Sequence, residues 1–133
     1  MNISVQYRLD VYLYTYYITM ESRRQLQAGE LIKRHFSTVI REQGTYIYGT
    51  EALVSVTKVM MSPDLGLAKI YLSVYNTEDK NAVLLMIREE KTRLKQQLTN
   101  RIRKHVRRIP KVDFYLDDTL DEMYKIDELL SSI

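Results

Sequence analysis

The sequence contains no cysteine and no tryptophan, and only two prolines and four glycines. Without cysteine the chain forms no disulfide and no thiolate metal site, so it suits a reducing compartment. No apolar run approaches the ~20 residues that cross a bilayer, and the N-terminus lacks the basic segment and apolar core of a secretory signal. We therefore expect a cytoplasmic protein with no membrane association and no disulfide framework.

Charge is distributed unevenly along the chain. The net charge over the 133 residues is only +3. Residues 88–111 nevertheless hold ten Lys or Arg against two acids, whereas residues 112–133 hold seven acids and one base, Lys125. A chain of this length with 45% apolar and 28% charged residues is typical of one globular domain with a real core.

Residues 94–110 combine helical periodicity with a lack of acids. The apolar positions are Leu94, Leu98, Ile102, His105/Val106 and Ile109. This spacing predicts an amphipathic helix that ends at Pro110, with one buried face and one basic face. The like charges repel at i,i+3 and i,i+4, and a polyanion would relieve that repulsion while releasing counterions. We predict that RNA is bound by Arg93, Lys95, Arg101, Arg103, Lys104, Arg107, Arg108 and Lys111. A solvated charged face is the alternative interpretation.

Residues 1–19 differ from the rest of the chain in composition and in periodicity. They hold five of the eleven tyrosines, and apolar and polar side chains alternate from Ile3 to Leu13, which is a strand period. The segment is either an added edge strand or unpaired. A third hypothesis is that translation starts at Met20 and that residues 1–19 follow from an upstream start codon. A native peptide that begins before Met20 would contradict this hypothesis.

Between residues 21 and 75 the pattern changes from helical to extended. Residues 21–43 predict an amphipathic helix that stops at Gly44. Residues 51–61 and 67–75 predict the two strands of a hairpin, which the Ser62-Pro63-Asp64-Leu65-Gly66 turn connects. On the second strand, one face carries the apolar residues Ala68, Ile70, Leu72 and Val74.

The second half of the chain predicts two more helices, a strand and a final helix. A helix begins at Thr77, with Thr77 or Asn76 as its N-cap, and a break is expected near Glu89–Thr92 because about 30 helical residues exceed the usual length. Residues 111–117 predict a strand with Val112, Phe114 and Leu116 inward. A capping box at residues 119–122 opens the last helix. The apolar residues of that helix are Leu120, Met123, Ile126 and Leu130. The order α-β-β-α-α-β-α describes one α+β domain over residues 20–133.

Other residues that could take part in binding or catalysis also have ordinary structural explanations. Tyr71, Tyr75 and Tyr115 face away from the predicted core, where they either stack on bases or, as we favour, pack or face solvent. His35 borders an apolar face and receives no role. The carboxylates that a hydrolase or metal site would need also suit a turn and a helix start. These carboxylates are Asp64, Asp117, Asp118, Asp121 and Glu122.

No enzyme motif accompanies those carboxylates. The sequence has no Walker loop, nucleophile elbow or two-histidine metal spacing, so we expect no enzyme, no cofactor and no small-molecule substrate. A second alternative is a protein-interaction module that uses the acidic C-terminal helix. Salt dependence distinguishes the two, because phosphate contacts weaken steeply with salt and an apolar interface does not.

Several segments together resemble the bacterial ribosome-binding factor A family. They are Val54-Ser-Val-Thr-Lys-Val59, Ser62-Pro-Asp-Leu65, Ala68-Lys-Ile-Tyr-Leu-Ser73, Leu94 with Leu98 and Arg101, Arg108-Ile-Pro-Lys-Val112, Phe114, Asp117-Asp-Thr-Leu120 and Ile126-Asp-Glu-Leu-Leu130. The resemblance covers about Met20 to Leu130 and depends on the Ser62–Leu65 turn occurring together with the later segments. It leaves residues 1–19 outside, which favours the later start.

The resemblance implies a type II KH fold, with a three-stranded sheet that carries helices on one side. It also implies a factor, monomeric when free, that docks on the small (30S) ribosomal subunit, assists late maturation of 16S rRNA including its 5′ end, and supports growth in the cold. KH domains usually clamp nucleotides with a GXXG loop, but no two glycines here are three apart. The family's Ala-x-Gly helix interruption is replaced by Glu90-Lys91-Thr92, and Thr99 stands where a further glycine is often found.

Overall fold

A computed structural model describes residues 21–117 and 129–131. Its elements over residues 23–117 are α1 (Arg23–Tyr48), β1 (Leu53–Met61), β2 (Leu67–Tyr75), α2 (Lys80–Glu89), α3 (Lys91–Ile102) and β3 (Lys111–Leu116). The predicted order is therefore confirmed as far as the third strand. The expectations for residues 1–19 and for the capping box at residues 119–122 lie outside the described residues. Of the final helix, residues 129–131 are described, and they are helical.

The three strands form one sheet in the order β1-β2-β3. β1 and β2 are the predicted antiparallel hairpin, with Val59 opposite Ile70 and a bulge between Val56 and Lys58. β3 runs parallel to β2 and places Phe114 beside Ile70. A parallel neighbour needs a crossover connection, and α2 and α3 provide it.

One face of the sheet is buried under the helices. The predicted inward residues of β2 are buried, as are Val112 and Phe114 of β3, whereas Leu116 is only partly buried. Phe36 of α1 stacks on Phe114 with ring centroids 5.4 Å apart. The α+β fold with a three-stranded sheet and helices on one side is thus confirmed.

Helix α1 is longer than predicted because Gly44 does not end it. Gly44 is buried inside the helix, and a Cβ at that position would overlap the ring of Tyr48. Helical side chains lean back over the residue four positions earlier, so Gly44 makes room for this ring. At the other end of α1, a Cβ on Gly29 would lie 2.7 Å from the carbonyl oxygen of Val59, and Gln25 Nε2 donates to the Met61 carbonyl over 2.9 Å.

The predicted helix break is confirmed at Glu90, which separates α2 from α3. The predicted cap of α2 is wrong. Asp79, and not Asn76 or Thr77, accepts a hydrogen bond from the Ala82 N–H over 3.0 Å. Asn76 instead adopts a left-handed φ of 58°, and its side-chain amide donates to the Glu51 carbonyl over 2.9 Å.

The predicted helix from residue 94 to Pro110 is wrong in length. Leu94, Leu98 and Ile102 are buried as expected, but α3 ends at Ile102. The chain then turns, with the His105 N–H donating to the Ile102 carbonyl over 2.8 Å. The reason is tertiary: β3 must begin beside β2, where the Lys111 N–H donates to the Gly66 carbonyl over 2.9 Å. We call residues 103–110 the basic loop.

No helix in the described part of the chain is both long and apolar enough to cross a membrane.

Candidate nucleic-acid interface

The eight predicted RNA-binding cations are divided between a helix, the basic loop and a strand. Arg93, Lys95 and Arg101 lie on α3, and Lys111 opens β3. The basic loop carries Arg103, Lys104, Arg107 and Arg108. All eight are exposed except Lys95, which is partly buried. Within residues 21–117, none of the eight forms an ion pair, since the described pair joins Lys91 to Asp113. None of the loop cations is therefore neutralised by an ion pair with a described residue.

Two further cations from the basic segment at residues 88–111 stabilise the fold. Arg88 donates through Nε and Nη2 to the Phe114 carbonyl, over 3.2 and 2.7 Å. The Lys91 ammonium lies 2.8 Å from Asp113 Oδ1. Both contacts attach the junction between α2 and α3 to β3, so these two charges have a structural role.

Arg93 lies apart from the basic loop. Its guanidinium donates to Gln43 Oε1 over 2.8 Å and lies 5.9 Å from the ring centroid of Tyr46, next to the C-terminal half of α1. Arg103 follows Arg93 by ten residues, which corresponds to a distance of about 15 Å along the helix axis at 1.5 Å per residue. Arg101, the four loop cations and Lys111 form the concentrated part of the predicted site.

Helix α1 adds cations that the sequence analysis did not assign to the site. Arg24 lines a groove together with Arg107 and Arg108 of the basic loop. Arg34 and Arg101 both act electrostatically on His35, which places them on the same side of the molecule. Helical periodicity indicated that Arg34 is exposed, but only the packing of α1 on the crossover brings it to the basic loop.

His35, to which no role was assigned, lies at the junction of α1 and the basic loop. Its ring stacks on His105 with centroids 5.9 Å apart and planes at 25°. Burial lowers the pKa of His35 from its ordinary value of 6.5, and the charges of Arg101, Arg34 and His105 lower it further. Its buried Nδ1 has no hydrogen-bond partner among the described residues. His35 is therefore neutral at pH 7 and serves as a flat packing surface between cations.

The Ser62–Gly66 turn closes the other side of this region. The Ser62 hydroxyl and the Gly66 N–H donate to Asp64 Oδ1 over 2.6 and 3.0 Å. These hydrogen bonds lower the pKa of Asp64, and the charge of Arg108 lowers it further. The carboxylate is thus held by the turn itself, which gives Asp64 a structural role rather than an acid–base one.

The remaining carboxylates considered for catalysis give no metal centre in the described chain. Asp117 Oδ2 accepts a hydrogen bond from the Thr57 hydroxyl over 2.7 Å, which ties the end of β3 to the bulge in β1. Within the described residues no three His, Cys, Asp or Glu side chains cluster as metal ligands would. Asp118, Asp121 and Glu122 lie outside those residues.

The tyrosines Tyr71 and Tyr115, on the sheet face opposite the described helices, contact one another and neighbouring cations. Tyr71 and Tyr115 stack with centroids 5.5 Å apart. Lys58 Nζ lies 4.4 Å from the Tyr71 centroid, and the Arg88 guanidinium lies 5.8 Å from that of Tyr115. The cations occupy ring faces that stacked bases would need. This arrangement agrees with the packing interpretation that we favoured.

Comparison with known proteins decides the family. Residues 24–130 match the family model for ribosome-binding factor A. This chain belongs to the ribosome-binding factor A family. A family member from Cytophaga hutchinsonii is 42% identical over 114 residues, which are 86% of this chain and 85% of that protein. One from Flavobacterium psychrophilum is 33% identical over 84% of this chain and 86% of that protein.

Solved structures of family members share the fold. The crystal structure of ribosome-binding factor A from Thermus thermophilus matches with a TM-score of 0.57 at 19% identity, over 69% of this chain and 94% of that chain. A homology model of the Thermus thermophilus factor, fitted into the cryo-EM map of a 30S complex, matches with a TM-score of 0.53 at 21% identity, over 66% and 89% of the two chains. The KH-like fold is thereby confirmed.

This chain makes its helix break without the glycine that the family resemblance led us to expect. Glu90 adopts φ −96° and ψ 19°, close to the bridge region that most residues tolerate. Its N–H donates to the Met86 and Ile87 carbonyls, over 3.3 and 3.1 Å, and its own carbonyl accepts from Leu94 over 3.0 Å. The chain thus changes direction while its backbone groups remain bonded, so no left-handed residue is needed.

Proposed function

We propose that this protein is a cytoplasmic ribosome assembly factor that binds the small ribosomal subunit by contacts between its basic loop and the phosphate backbone of 16S rRNA. We further propose that it assists late maturation of that rRNA, including processing of its 5′ end. Family membership supports this proposal, as does the structural relative from Thermus thermophilus that was fitted into the map of a 30S complex. The observation that carries it is the concentration of exposed cations in the basic loop that form no ion pair with residues 21–117.

The physics of the proposed contact is counterion release. Each phosphate neutralised by Lys or Arg contributes a slope of roughly −0.7 to −0.9 in log K against log salt. Six cations (Arg101, the four of the loop and Lys111) would give a slope of about −4 to −5 if each met one phosphate. A loop is well suited to this, because backbone contacts need charge at the right spacing and no base-reading surface.

Charge reversal in the basic loop tests the proposal. Arg103 and Arg107 are exposed, so Arg103→Glu together with Arg107→Glu should abolish cosedimentation with small subunits and leave the far-UV circular dichroism unchanged. The matched control is Arg41→Glu with Lys69→Glu, which changes the net charge equally at exposed positions on α1 and β2, outside the loop. Cosedimentation that survives the loop variant, or that is lost equally in the control, contradicts the assigned face.

The salt dependence of wild-type binding separates this proposal from a protein-interaction module. We expect cosedimentation to fall steeply as salt rises, in proportion to the number of phosphate contacts. Binding that changes little with salt would indicate an apolar protein interface instead. The carboxylates Asp64 and Asp117 are engaged in hydrogen bonds of the fold, so we expect treatment of the protein alone with a chelator, removed before the subunits are added, to have no effect on binding.

A further inference from the structure

A groove lies between the N-terminal half of α1, the Ser62–Gly66 turn and the basic loop. Its volume is about 470 Å³, within the ~300–1,000 Å³ range of ligand sites. The exposed residues that line it include the cations Arg24, Arg107 and Arg108, whereas Leu31 and Val106 are partly buried. The groove therefore combines an apolar wall with an exposed rim of three cations and one carboxylate, that of Asp64, which is already hydrogen-bonded within the turn.

One wall of the groove is held in a strained conformation. Leu65 lines the groove and has a φ of 60°, which is unfavourable for a side chain of this size. The turn enforces it: the Leu65 N–H donates to the Ser62 carbonyl over 2.9 Å, and the Leu67 N–H donates to the Ser62 hydroxyl over 2.9 Å. Strain that the surroundings enforce in this way is typical of ligand sites.

We propose that this groove takes one unpaired nucleotide of the bound RNA, with the base against Leu31, Leu65 and Val106 and the adjoining phosphates on Arg24, Arg107 and Arg108. This inference rests on the proposed function and adds that the bound RNA is unpaired at this point. A nucleotide joins a flat apolar base to an anionic phosphate, which matches the two halves of the groove. In duplex RNA the base faces are stacked and unavailable, whereas a base in a loop or at an end can be splayed out.

The cations outside the groove favour RNA over an acidic peptide. Arg103, Lys104 and Lys111 continue the exposed charge beyond the groove along the chain. A polynucleotide carries one phosphate per base and can meet such a series, whereas a peptide with one or two carboxylates would leave most of these cations unmatched. A planar arginine guanidinium can also stack on an aromatic base. Arg107 and Arg108 at the rim of the groove could each make this contact.

Three RNA probes of the same charge per residue test the inference on the full-length protein. They are a short oligoadenylate, an abasic chain of the same length and an RNA duplex. Fluorescence anisotropy at low salt should show that oligoadenylate binds at least about 5-fold tighter than the abasic chain, the low end of the gain for a base stacked on an aromatic ring, because the groove side chains are aliphatic. The duplex should gain nothing from the groove, so any excess of its affinity over that of the abasic chain comes from its higher charge density and disappears as salt rises.

A groove-filling variant tests the same point from the protein side. Ala28 lines the groove and is partly buried, so Ala28→Leu should lower the affinity for oligoadenylate to that for the abasic chain. Ala82→Leu is the matched control, on α2 and outside the groove lining. If thermal melting shows that Ala28→Leu does not fold, Val106→Phe fills the groove from the loop instead.

The outcomes separate this inference from the proposed function. Equal binding of oligoadenylate and abasic chain, with a steep salt dependence, overturns the groove site and leaves phosphate binding by the basic loop intact. Absence of binding to every RNA at low salt overturns both. Tighter binding of a peptide of alternating Leu and Glu than of oligoadenylate overturns the nucleotide site in favour of a protein ligand.

Discussion

Gly29→Ala is the substitution whose effect can be worked out most directly from the structure. The added Cβ would lie 2.7 Å from the Val59 carbonyl oxygen and 3.6 Å from its carbon. Carbon–oxygen contacts of this kind are found at about 3.3 Å and above, so the Cβ would be about 0.6 Å too close. The obstacle is strand backbone, which cannot rotate away, so α1 must move from β1.

That movement affects a second contact. Gln25, one helical turn before Gly29, donates to the Met61 carbonyl over 2.9 Å, and a shift of ~0.6 Å would stretch this buried hydrogen bond to the limit of its range. We expect overpacking of about 1–3 kcal/mol and a lost hydrogen bond of about 0.5–1.5 kcal/mol. Alanine's better helix propensity offsets about 1 kcal/mol of this. The net destabilisation is therefore about 0.5–3.5 kcal/mol.

Thermal unfolding followed by circular dichroism measures this change. At about 4 °C per kcal/mol, where the ranges for smaller and larger domains meet, the midpoint should fall by roughly 2–14 °C. Glu30→Ala is the matched control, because Glu30 is the exposed neighbour on the same helix and its replacement should change stability by less than about 0.5 kcal/mol. A midpoint that is unchanged or raised in Gly29→Ala would refute the close approach of α1 to Val59.

Two further predictions concern the core and pH. Leu98 is fully buried, so Leu98→Asp should abolish cooperative melting because it buries a carboxylate without a partner. Leu98→Met is the control and should melt normally. If Leu98→Asp melts at the same temperature as the unsubstituted protein, the orientation of α3 is contradicted. The pKa of His35 is lowered in the folded protein, where the ring faces Arg34, Arg101 and His105. As the pH falls through 6.5, the unfolded chain therefore takes up a proton at His35 before the folded protein does. Stability should therefore fall from pH 7 towards pH 5, and less steeply in His35→Gln; equal pH dependence in the two proteins would contradict the shift.

The strands could be predicted closely because their signal is local. Alternation of apolar residues and the Ser62–Gly66 turn predicted strands at residues 51–61 and 67–75, and the observed strands are Leu53–Met61 and Leu67–Tyr75. The helix ends were harder to predict because distant contacts set them. Gly44 looks like a stop signal, but it lies beside the Tyr48 ring and the helix continues.

The sequence by itself determined that positive charge is concentrated between residues 88 and 111 and that few acids lie among it. It also determined the hairpin and the buried faces, since these depend on the spacing of side chains along a strand or helix. It did not determine which cations share a surface. Arg88 and Lys91 were counted in the same stretch as Arg107, yet they hold β3 in place.

Only the tertiary structure decided the form and partners of the candidate site. The parallel pairing of β3 with β2 requires the chain to leave the helix at Ile102 and return to Gly66, and this converts the predicted basic helix into a loop. The same return brings the loop against α1, which adds Arg24 to the groove. Helical periodicity reports which side of an element is buried, but contact between elements far apart in the sequence depends on how the sheet and its crossover close around the core.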